Sequence, residues 1–189
     1  MAGLEGMRFG DYVIIQHIGS GGLGEVYLAE QERLRRQVAI KTLRASGLLN
    51  ASPEEQERGA QRFLQESRAI ARLEHPHILR LYDFGQTGDL MYLVMAYIPD
   101  GSLADLLRPN AATGQPAAFT LPLSATLVAQ IVEQTADALQ YAHDQGMMHG
   151  DVKPQNLLVR RLMPEQQAAP DVTPNPAMAN IASGPSLYV

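Results

Sequence analysis

Cysteine is missing from this sequence of 189 residues, and positive charge is scarce in it. The lack of cysteine excludes disulfide bonds, thiolate metal sites and cysteine nucleophiles. With 15 lysines and arginines against 20 acidic residues, the formal net charge is −5. A nucleic-acid-binding protein would be expected to carry a basic patch, so the composition predicts no nucleic-acid partner.

Long apolar runs are missing as well. The longest, 90–98, is far below the roughly 20 residues that a membrane-spanning helix needs, and the first residues do not resemble a signal peptide. We therefore expect a cytoplasmic chain with no membrane segment. The remaining balance, 46% apolar and 19% charged residues, is typical of a globular protein, and the length suits one domain, or one and part of another.

Short β-branched runs divided by polar turns fill the first part of the chain and predict an antiparallel meander. A helix is expected to begin at Pro53, because proline has no N–H to leave unpaired there and acidic residues favour the positive helix end. We expect His75-Pro76 to stop this helix. The predicted strands are 11–18, 25–29, 38–43, 78–84 and 90–98.

The second part of the chain is predicted to be helical. A short helix at 102–108 is followed by a loop at 109–122. Ser124 is placed to cap a long helix, and Gly146 is placed to end it.

The last part of the chain carries little periodic signal. The short apolar run 157–159 fits a strand, whereas 162–186 is rich in proline and alanine and is predicted to be a flexible insert. Residues 187–189 fit the beginning of a further strand.

Glycine is concentrated at 19–24, where the sequence reads Gly-Ser-Gly-Gly-Leu-Gly. Glycines let a backbone approach phosphates closely, with N–H groups turned towards the anion. A plain glycine-rich hairpin turn is the alternative interpretation. A dinucleotide-binding turn would be followed by a helix, but 25–29 has the pattern of a strand, which favours a hairpin flap over a nucleotide.

Lys41 lies inside the apolar strand 38–43. Since side chains alternate along a strand, Val38 and Ile40 share one face, and Ala39 and Lys41 share the other. A solvent-facing lysine is one interpretation. In the other, Val26 and Ala39 form an apolar ceiling over a flat ring, with Lys41 beside it near the phosphates.

With these motifs the chain resembles a protein kinase, a family in which a glycine-rich loop precedes a strand lysine in Val-Ala-Ile-Lys. The resemblance implies an α+β fold of two lobes, with ATP and Mg²⁺ as cofactors and a protein substrate that presents Ser or Thr. Its implied parts are an N-lobe with the hinge strand at 11–98, the start of the C-lobe with the catalytic loop at 99–159, and an insert with a final strand at 160–189.

The resemblance also implies a set of ATP-binding residues. Glu66 would pair with Lys41 and hold it against the α- and β-phosphates, although a solvated helix charge is the alternative for Glu66. Met95 would be the gatekeeper, and the backbone of Ala96 and Ile98 would bind the adenine edge. The full set is Ile18, Gly19, Ser20, Gly21, Gly24, Val26, Ala39, Lys41, Glu66, Met95, Ala96, Ile98 and Leu158.

The segment 149–156, His-Gly-Asp-Val-Lys-Pro-Gln-Asn, resembles the catalytic loop of the family. The resemblance implies that Asp151 accepts the proton of the substrate hydroxyl or orients that hydroxyl, and that Asn156 binds a magnesium ion. It implies that Lys153 neutralises charge on the γ-phosphate, as in serine/threonine kinases. A polar loop with an Asx turn is the alternative.

Two features depart from the family. Gly150 stands where most members have an arginine that pairs with a phosphorylated activation loop, so we expect no control of that kind. No Asp-Phe-Gly follows Asn156, although the family needs that aspartate for its main magnesium ion. We therefore expect a catalytic domain that is truncated just before the Asp-Phe-Gly position, lacks this tripeptide and is inactive alone.

The missing C-lobe implies a further expectation for the long helix. Its apolar positions Leu127, Ile131, Val132 and Leu139 would be partly exposed, and such a patch favours association. We expect a poorly soluble or partly molten C-terminal half.

Three functions fit the sequence. The leading one is a bacterial-type serine/threonine protein kinase that transfers the γ-phosphoryl group of ATP. The second is a small-molecule phosphotransferase of the aminoglycoside or choline type, in which glycine often follows the histidine of the loop. The third is a non-catalytic ATP-binding remnant or scaffold.

Overall fold

The computed structural model describes residues 3–21, 24–44, 52–88, 90–108, 123–160 and 186–189. They belong to two compact units, one made of Met1–Glu74 with Leu79–Tyr97, the other of His75–Ile78 with Ile98–Val189. The predicted loop at 109–122 and the greater part of the predicted insert lie outside the described residues.

The first unit is built on a six-stranded antiparallel sheet. Its strands are β1 Arg8–Phe9, β2 Tyr12–Gly21, β3 Gly24–Gln31, β4 Arg36–Arg44, β5 Leu81–Thr87 and β6 Leu90–Ala96. Their order in the sheet is β1-β2-β3-β4-β6-β5. The predicted meander is confirmed, but β1 has only two residues and was not predicted. The fourth predicted strand starts too early, because the N–H of Ile78 bonds to the carbonyl of His75 in a turn.

One face of this sheet is the core of the first unit. Val38, Ile40 and Val94 are fully buried there, together with Tyr27 and Ala29 from β3. The strict alternation along β4 places Lys41 on the opposite face, as the sequence predicted. Burial of the branched side chains on one face therefore fixes which residues the other face presents.

Helix α1 spans Pro53–Ile70, with Pro53 in its first turn as predicted. Ser52 and Glu55 form a capping box, in which the Ser52 side chain accepts the Glu55 N–H and the Glu55 carboxylate accepts the Ser52 N–H. Ser67 is almost fully buried, and the helix packs against β5.

The predicted end of α1 at His75-Pro76 was wrong. The helix ends at Ile70 with Ala71 as its C-cap, and after this cap the N–H groups of Arg72 and Leu73 bond three residues back in tight turns. Pro76 therefore lies beyond the end of the helix, where local hydrogen bonds have already terminated it.

The elements of the second unit are α2 Leu103–Leu106, α3 Ala125–Asp144, a 3-10 turn Pro154–Asn156, β7 Leu158–Arg160 and β8 Ser186–Tyr188. The unit has a small core of leucine and valine side chains from two segments, in which Leu103 and Leu106 pack with Leu157 and Val159. The final strand β8 pairs antiparallel with β7, opposing Leu158 to Tyr188, so the strand predicted at the end of the chain is confirmed.

The caps of α3 follow the prediction. The Ser124 side chain accepts the N–H of Leu127, and Gly146 adopts φ +74 just after the helix, a left-handed conformation that glycine adopts without strain. In the described part of the chain no helix is both long and apolar enough to cross a bilayer.

The apolar face of α3 is only partly covered. Val132 is 60% exposed and Val128 is 43% exposed, while Leu127, Ile131 and Leu139 are half-buried. Partial exposure of the predicted positions is thus confirmed.

Replacing both exposed valines by glutamine, Val128→Gln with Val132→Gln, is expected to reduce binding of an apolar dye severalfold and to change stability little, because most of their surface is already in water. Fluorescence titration with a hydrophobic dye measures the first effect and thermal unfolding the second. If dye binding were not reduced, the exposed apolar surface that binds the dye would lie elsewhere on the protein.

Candidate active site

The residues of the predicted apolar ceiling are neighbours in the sheet of the first unit. In the sheet Val26 lies opposite Lys41, and Ala39 lies between Leu28 and Met95. Ala39 and Leu28 are nearly buried, whereas Lys41 is half-buried. The result is an apolar patch with one ammonium group at its edge. Leu28 was missed by the sequence reasoning, although its spacing of two from Val26 places it on the same face.

The glycine-rich segment is the hairpin between β2 and β3, as predicted. Gly21 pairs with Gly24, and Gly19 pairs with Val26, while residues 22 and 23 lie outside the described residues. Ile18 and Ser20 are exposed. The backbone of this hairpin is therefore accessible along the strand that leads to its turn.

Gly24 has a structural role in addition to its predicted one. Its φ is +151, and a Cβ atom at this position would lie 1.8 Å from the carbonyl oxygen of Thr42. Thr42 is buried, and its hydroxyl donates to the carbonyl of Glu25 at 3.2 Å. Only glycine lets β3 begin this close to β4.

The predicted pair of Lys41 and Glu66 is not formed in this structure. Glu66 is exposed on α1, and among the described residues neither side chain takes part in an ion pair. Because the family needs this pair for catalysis, its formation stays a prediction for the nucleotide-bound protein.

The residues predicted to bind adenine are divided between the two units. In the first unit the N–H of Ala96 donates to the carbonyl of Arg80 at 3.0 Å, so this N–H is not the group that would bind adenine. In the second unit Ile98 is nearly buried, and Leu158 is half-buried.

Three predicted catalytic side chains meet in the second unit. The Asp151 carboxylate oxygen Oδ2 lies 2.7 Å from the Lys153 Nζ and accepts from the Asn156 Nδ2 at 3.0 Å. The same amide nitrogen donates to the Asp151 carbonyl at 2.8 Å. The His149 Nδ1 accepts the N–H of Asp151 at 3.2 Å. These contacts connect the groups of the loop to one another, and two of them are made by the Asp151 carboxylate.

The pKa of Asp151 lies below its usual range, first because Lys153 and then because Asn156 donate hydrogen bonds to the carboxylate. A carboxylate that already receives two donors keeps its charge at neutral pH. The group can therefore accept a hydrogen bond from a hydroxyl, and it is a weak base until that hydroxyl develops acidity.

A Lys153→Met variant is expected to raise the pKa of Asp151, because the first cause of its lowering is removed. An Asn156→Ala variant is expected to raise the pKa less. Titration of the carboxyl carbon by NMR measures both shifts. Since the folded-state pKa is depressed, ionisation of Asp151 favours the folded loop above the unfolded-state pKa, and this contribution is lost as pH falls through the folded-state value.

Gly150 differs from the family position in backbone as well as side chain. Its φ is +73, in the left-handed region where residues other than glycine are strained. No atom within 4 Å would obstruct a Cβ there. Restoring arginine at this position would therefore meet backbone strain, with no steric clash.

The loop offers a partial fit to magnesium. Amide and carboxylate oxygens are the ligands that Mg²⁺ prefers, and it commonly takes only one or two from the protein and the rest from phosphates and water. Asn156 and Asp151 supply such oxygens. No group of three or more metal-binding His, Cys, Asp or Glu residues occurs within the described ranges.

The sequence does contain one Asp-Phe-Gly, at 83–85, so the expectation that the chain lacks this tripeptide was wrong. It lies in β5, well before the catalytic loop. The Asp83 carboxylate accepts the hydroxyl of Tyr12 at 3.3 Å and the N–H of Phe84, and burial together with Asp83 raises the pKa of Tyr12 to about 12. These contacts give Asp83 a role in the sheet, and no Asp-Phe-Gly follows Asn156.

Comparison with known proteins identifies the family of the chain. Residues 12–165 match the family model of the protein kinase domain, so this chain belongs to the protein kinase family. It is 38% identical over 159 residues to the serine/threonine-protein kinase pkn2 of Myxococcus xanthus, covering 84% of this chain and 17% of that protein. It is 37% identical over 155 residues to the serine/threonine-protein kinase PknF of Mycobacterium tuberculosis, covering 82% of this chain and 30% of that protein.

Solved structures show the same likeness. The crystal structure of the Mycobacterium tuberculosis PknI kinase domain is similar to this chain with a TM-score of 0.63 and 30% identity, over 84% of this chain and 58% of that one. The kinase fold class predicted from the sequence is confirmed. The chain spans less than a third of the length of the two curated relatives named above.

Proposed function

We propose that this chain supplies the ATP-binding and catalytic-loop part of a serine/threonine protein kinase. In the whole protein this part helps to transfer the γ-phosphoryl group of ATP, bound with Mg²⁺, to a Ser or Thr hydroxyl. The observation that carries the proposal is the hydrogen-bonded loop, in which the carboxylate oxygen Oδ2 of Asp151 accepts hydrogen bonds from both Lys153 and Asn156.

Each group of that loop has a chemical use in phosphoryl transfer. Asp151 accepts the hydrogen of the attacking hydroxyl and orients its oxygen, and Lys153 is near enough to compensate charge on the transferred group. Asn156 would contribute an amide oxygen to a magnesium ion bound with the nucleotide. In this enzyme class catalysis is almost entirely positioning and electrostatic stabilisation, and a loop whose polar groups are cross-bonded to one another suits that requirement.

The nucleotide would lie on the other predicted group of residues. The apolar patch of Val26, Ala39 and Met95 suits the adenine ring, and Lys41 suits the α- and β-phosphates. The relatives named as serine/threonine kinases favour a protein substrate over an amino sugar. The predicted cytoplasmic location stays a prediction.

One pair of observations favours a second candidate for the 189 residues by themselves, an ATP-binding module without transfer activity. Lys41 and Glu66 form no ion pair among the described residues, and no Asp-Phe-Gly follows Asn156. Active kinases require both the lysine–glutamate ion pair and the Asp-Phe-Gly aspartate for transfer. Binding of ATP does not require either in full.

Titration with a fluorescent ATP analogue and Mg²⁺, followed by a radiolabelled ATP assay with casein, separates the candidates. We expect saturable binding by the chain, weakened about tenfold or more by Lys41→Met, since a phosphate contact of this charged kind is worth about 1.5–3 kcal/mol. Arg33→Met is the matched control, because Arg33 pairs only with Asp11 on the surface.

Each result of this experiment has a meaning. Labelled serine or threonine in casein supports the kinase proposal for the chain as it stands. Binding without transfer supports the second candidate for the isolated 189 residues and agrees with a role in transfer only within the whole protein. Absence of binding, or equal binding by Lys41→Met and the unchanged chain, would contradict both.

A further inference from the structure

A band of arginines runs along the solvent side of α1, in a chain whose net charge is negative. Residues 58–72 contain four arginines and one glutamate, a local charge of +3, whereas the whole chain carries −5. The first turns of α1 carry Glu54, Glu55 and Glu57, so the positive potential is confined to the later turns of the helix. None of the predicted ATP-binding or catalytic roles uses these arginines.

The arginines share one helix face with two glutamines. Positions three and four apart in a helix are neighbours on its surface, which groups Arg58, Arg62 and Arg68 with the glutamines between them. All of these side chains are exposed, and the buried Ser67 is on the opposite side of the helix. We call this surface the arginine face; it consists of Arg58, Gln61, Arg62, Gln65 and Arg68.

The arginine face borders an open depression, with Leu64 also in its lining. Arg58 has an ion-pair partner, Glu54, but the two are 3.6 Å apart and both are largely exposed, so the pair is weak and screened. Arg62 and Arg68 have no ion pair within the described residues. Two guanidinium groups are thus ready for an external anion.

We propose that the arginine face is a docking surface for an acidic, extended segment of a partner protein. Guanidinium groups present paired N–H donors that match a carboxylate, and the glutamine amides add neutral donors. Leu64 supplies an apolar contact that a peptide side chain can cover. The proposal does not depend on the kinase activity of the chain.

The dimensions fit a short peptide. Ten residues of helix separate Arg58 from Arg68, a rise of about 15 Å, which about five residues of extended chain span. Alternate side chains of such a strand point the same way. Acidic residues at every second position would therefore meet the three arginines together.

The charge of the chain disfavours the other polyanions. A nucleic acid or an anionic membrane extends beyond the helix and would meet the acidic remainder of the chain, which repels it over about a Debye length of 8–10 Å. A short peptide covers the arginine face and approaches only its nearest acidic neighbours, Glu54 and Glu66. This difference selects a protein segment as the partner.

The test is fluorescence anisotropy of two labelled peptides with the complete chain, Ala-Glu-Leu-Glu-Ala-Glu and its analogue with glutamine at each glutamate position. The variant Arg62→Glu with Arg68→Glu reverses the arginine face. The matched control is Arg33→Glu with Arg35→Glu, which makes the same change in net charge on the exposed turn between β3 and β4. Circular dichroism checks that each variant is folded. If the variant Arg62→Glu with Arg68→Glu is unfolded, the variant Arg62→Gln with Arg68→Gln is used in its place.

We expect the acidic peptide to bind, the glutamine analogue and the α1 variant to bind tenfold or more weakly, and the turn variant to change binding less than twofold. Equal losses in both charge reversals, or no saturable binding up to about 1 mM, would overturn the proposal. Tighter, α1-dependent binding of single-stranded DNA or of phosphatidylserine vesicles would overturn the choice of partner.

Discussion

A Gly24→Ala variant is expected to lose about 3 kcal/mol or more of unfolding free energy in the first unit. The added Cβ would lie 1.8 Å from the Thr42 carbonyl oxygen, and φ at this position is +151. The obstacle is backbone, which cannot rotate aside as a side chain can. The β3–β4 pairing must therefore open at Glu25 and Thr42, where the buried threonine hydroxyl would also lose its partner.

Gly19→Ala is the matched control for this prediction. It lies in the same hairpin, but no atom is within 4 Å of its Cβ position, so alanine is expected to change the unfolding free energy by less than about 1 kcal/mol. Denaturant titration of both variants, followed by far-ultraviolet circular dichroism, gives the comparison. Equal stability of the two variants would show that the approach of Gly24 to Thr42 is not a constraint in solution.

Local patterns in the sequence were sufficient for the faces of the sheet and for the catalytic loop. Alternation along β4 separates Val38 from Lys41 without any knowledge of neighbouring strands, because the period of a strand is two. Likewise, a fixed spacing of two and five residues after Asp151 brings Lys153 and Asn156 to one carboxylate through a single turn.

Contacts between distant segments were not predictable in the same way. The approach of Gly24 to Thr42 depends on the register of β3 against β4, which no local pattern specifies. The distance between Lys41 and Glu66 depends on how α1 packs on the sheet. The resemblance to the family identifies both residues but does not determine this distance. The end of α1 was predicted too late. Hydrogen bonds to the carbonyls of Ala69 and Ile70 form tight turns there, before the chain reaches His75-Pro76.

The tripeptide at 83–85 shows the limit of motif recognition. A tripeptide alone does not define a function, and its role depends on the structural element that contains it. In β5 the aspartate bonds to Tyr12 across the sheet, which is a structural contact. The order of motifs along the chain, and not the tripeptide, distinguishes this position from a metal-binding one.

An Asp151→Asn variant is expected to lower phosphoryl transfer by about 10²–10⁴-fold in a protein that carries the whole kinase domain, the range associated with a positioned acid–base group. The amide has nearly the shape of the carboxylate, and the bond from Asn156 to the Asp151 backbone carbonyl does not need the side chain. The loop should therefore keep its form, while the acceptor for the hydroxyl hydrogen loses its charge and Lys153 loses its partner.

The decisive comparison is between transfer and binding. The rate of label transfer from ATP should fall, but the affinity for the ATP analogue should change less than about threefold, since removal of an interaction made in the transition state lowers kcat and leaves ground-state binding. Asp144→Asn is the control in the same unit, because Asp144 is exposed and an asparagine oxygen can still accept from Gln140. A parallel loss of binding and transfer would assign Asp151 to the structure of the loop, and an unchanged rate would refute its role in the reaction.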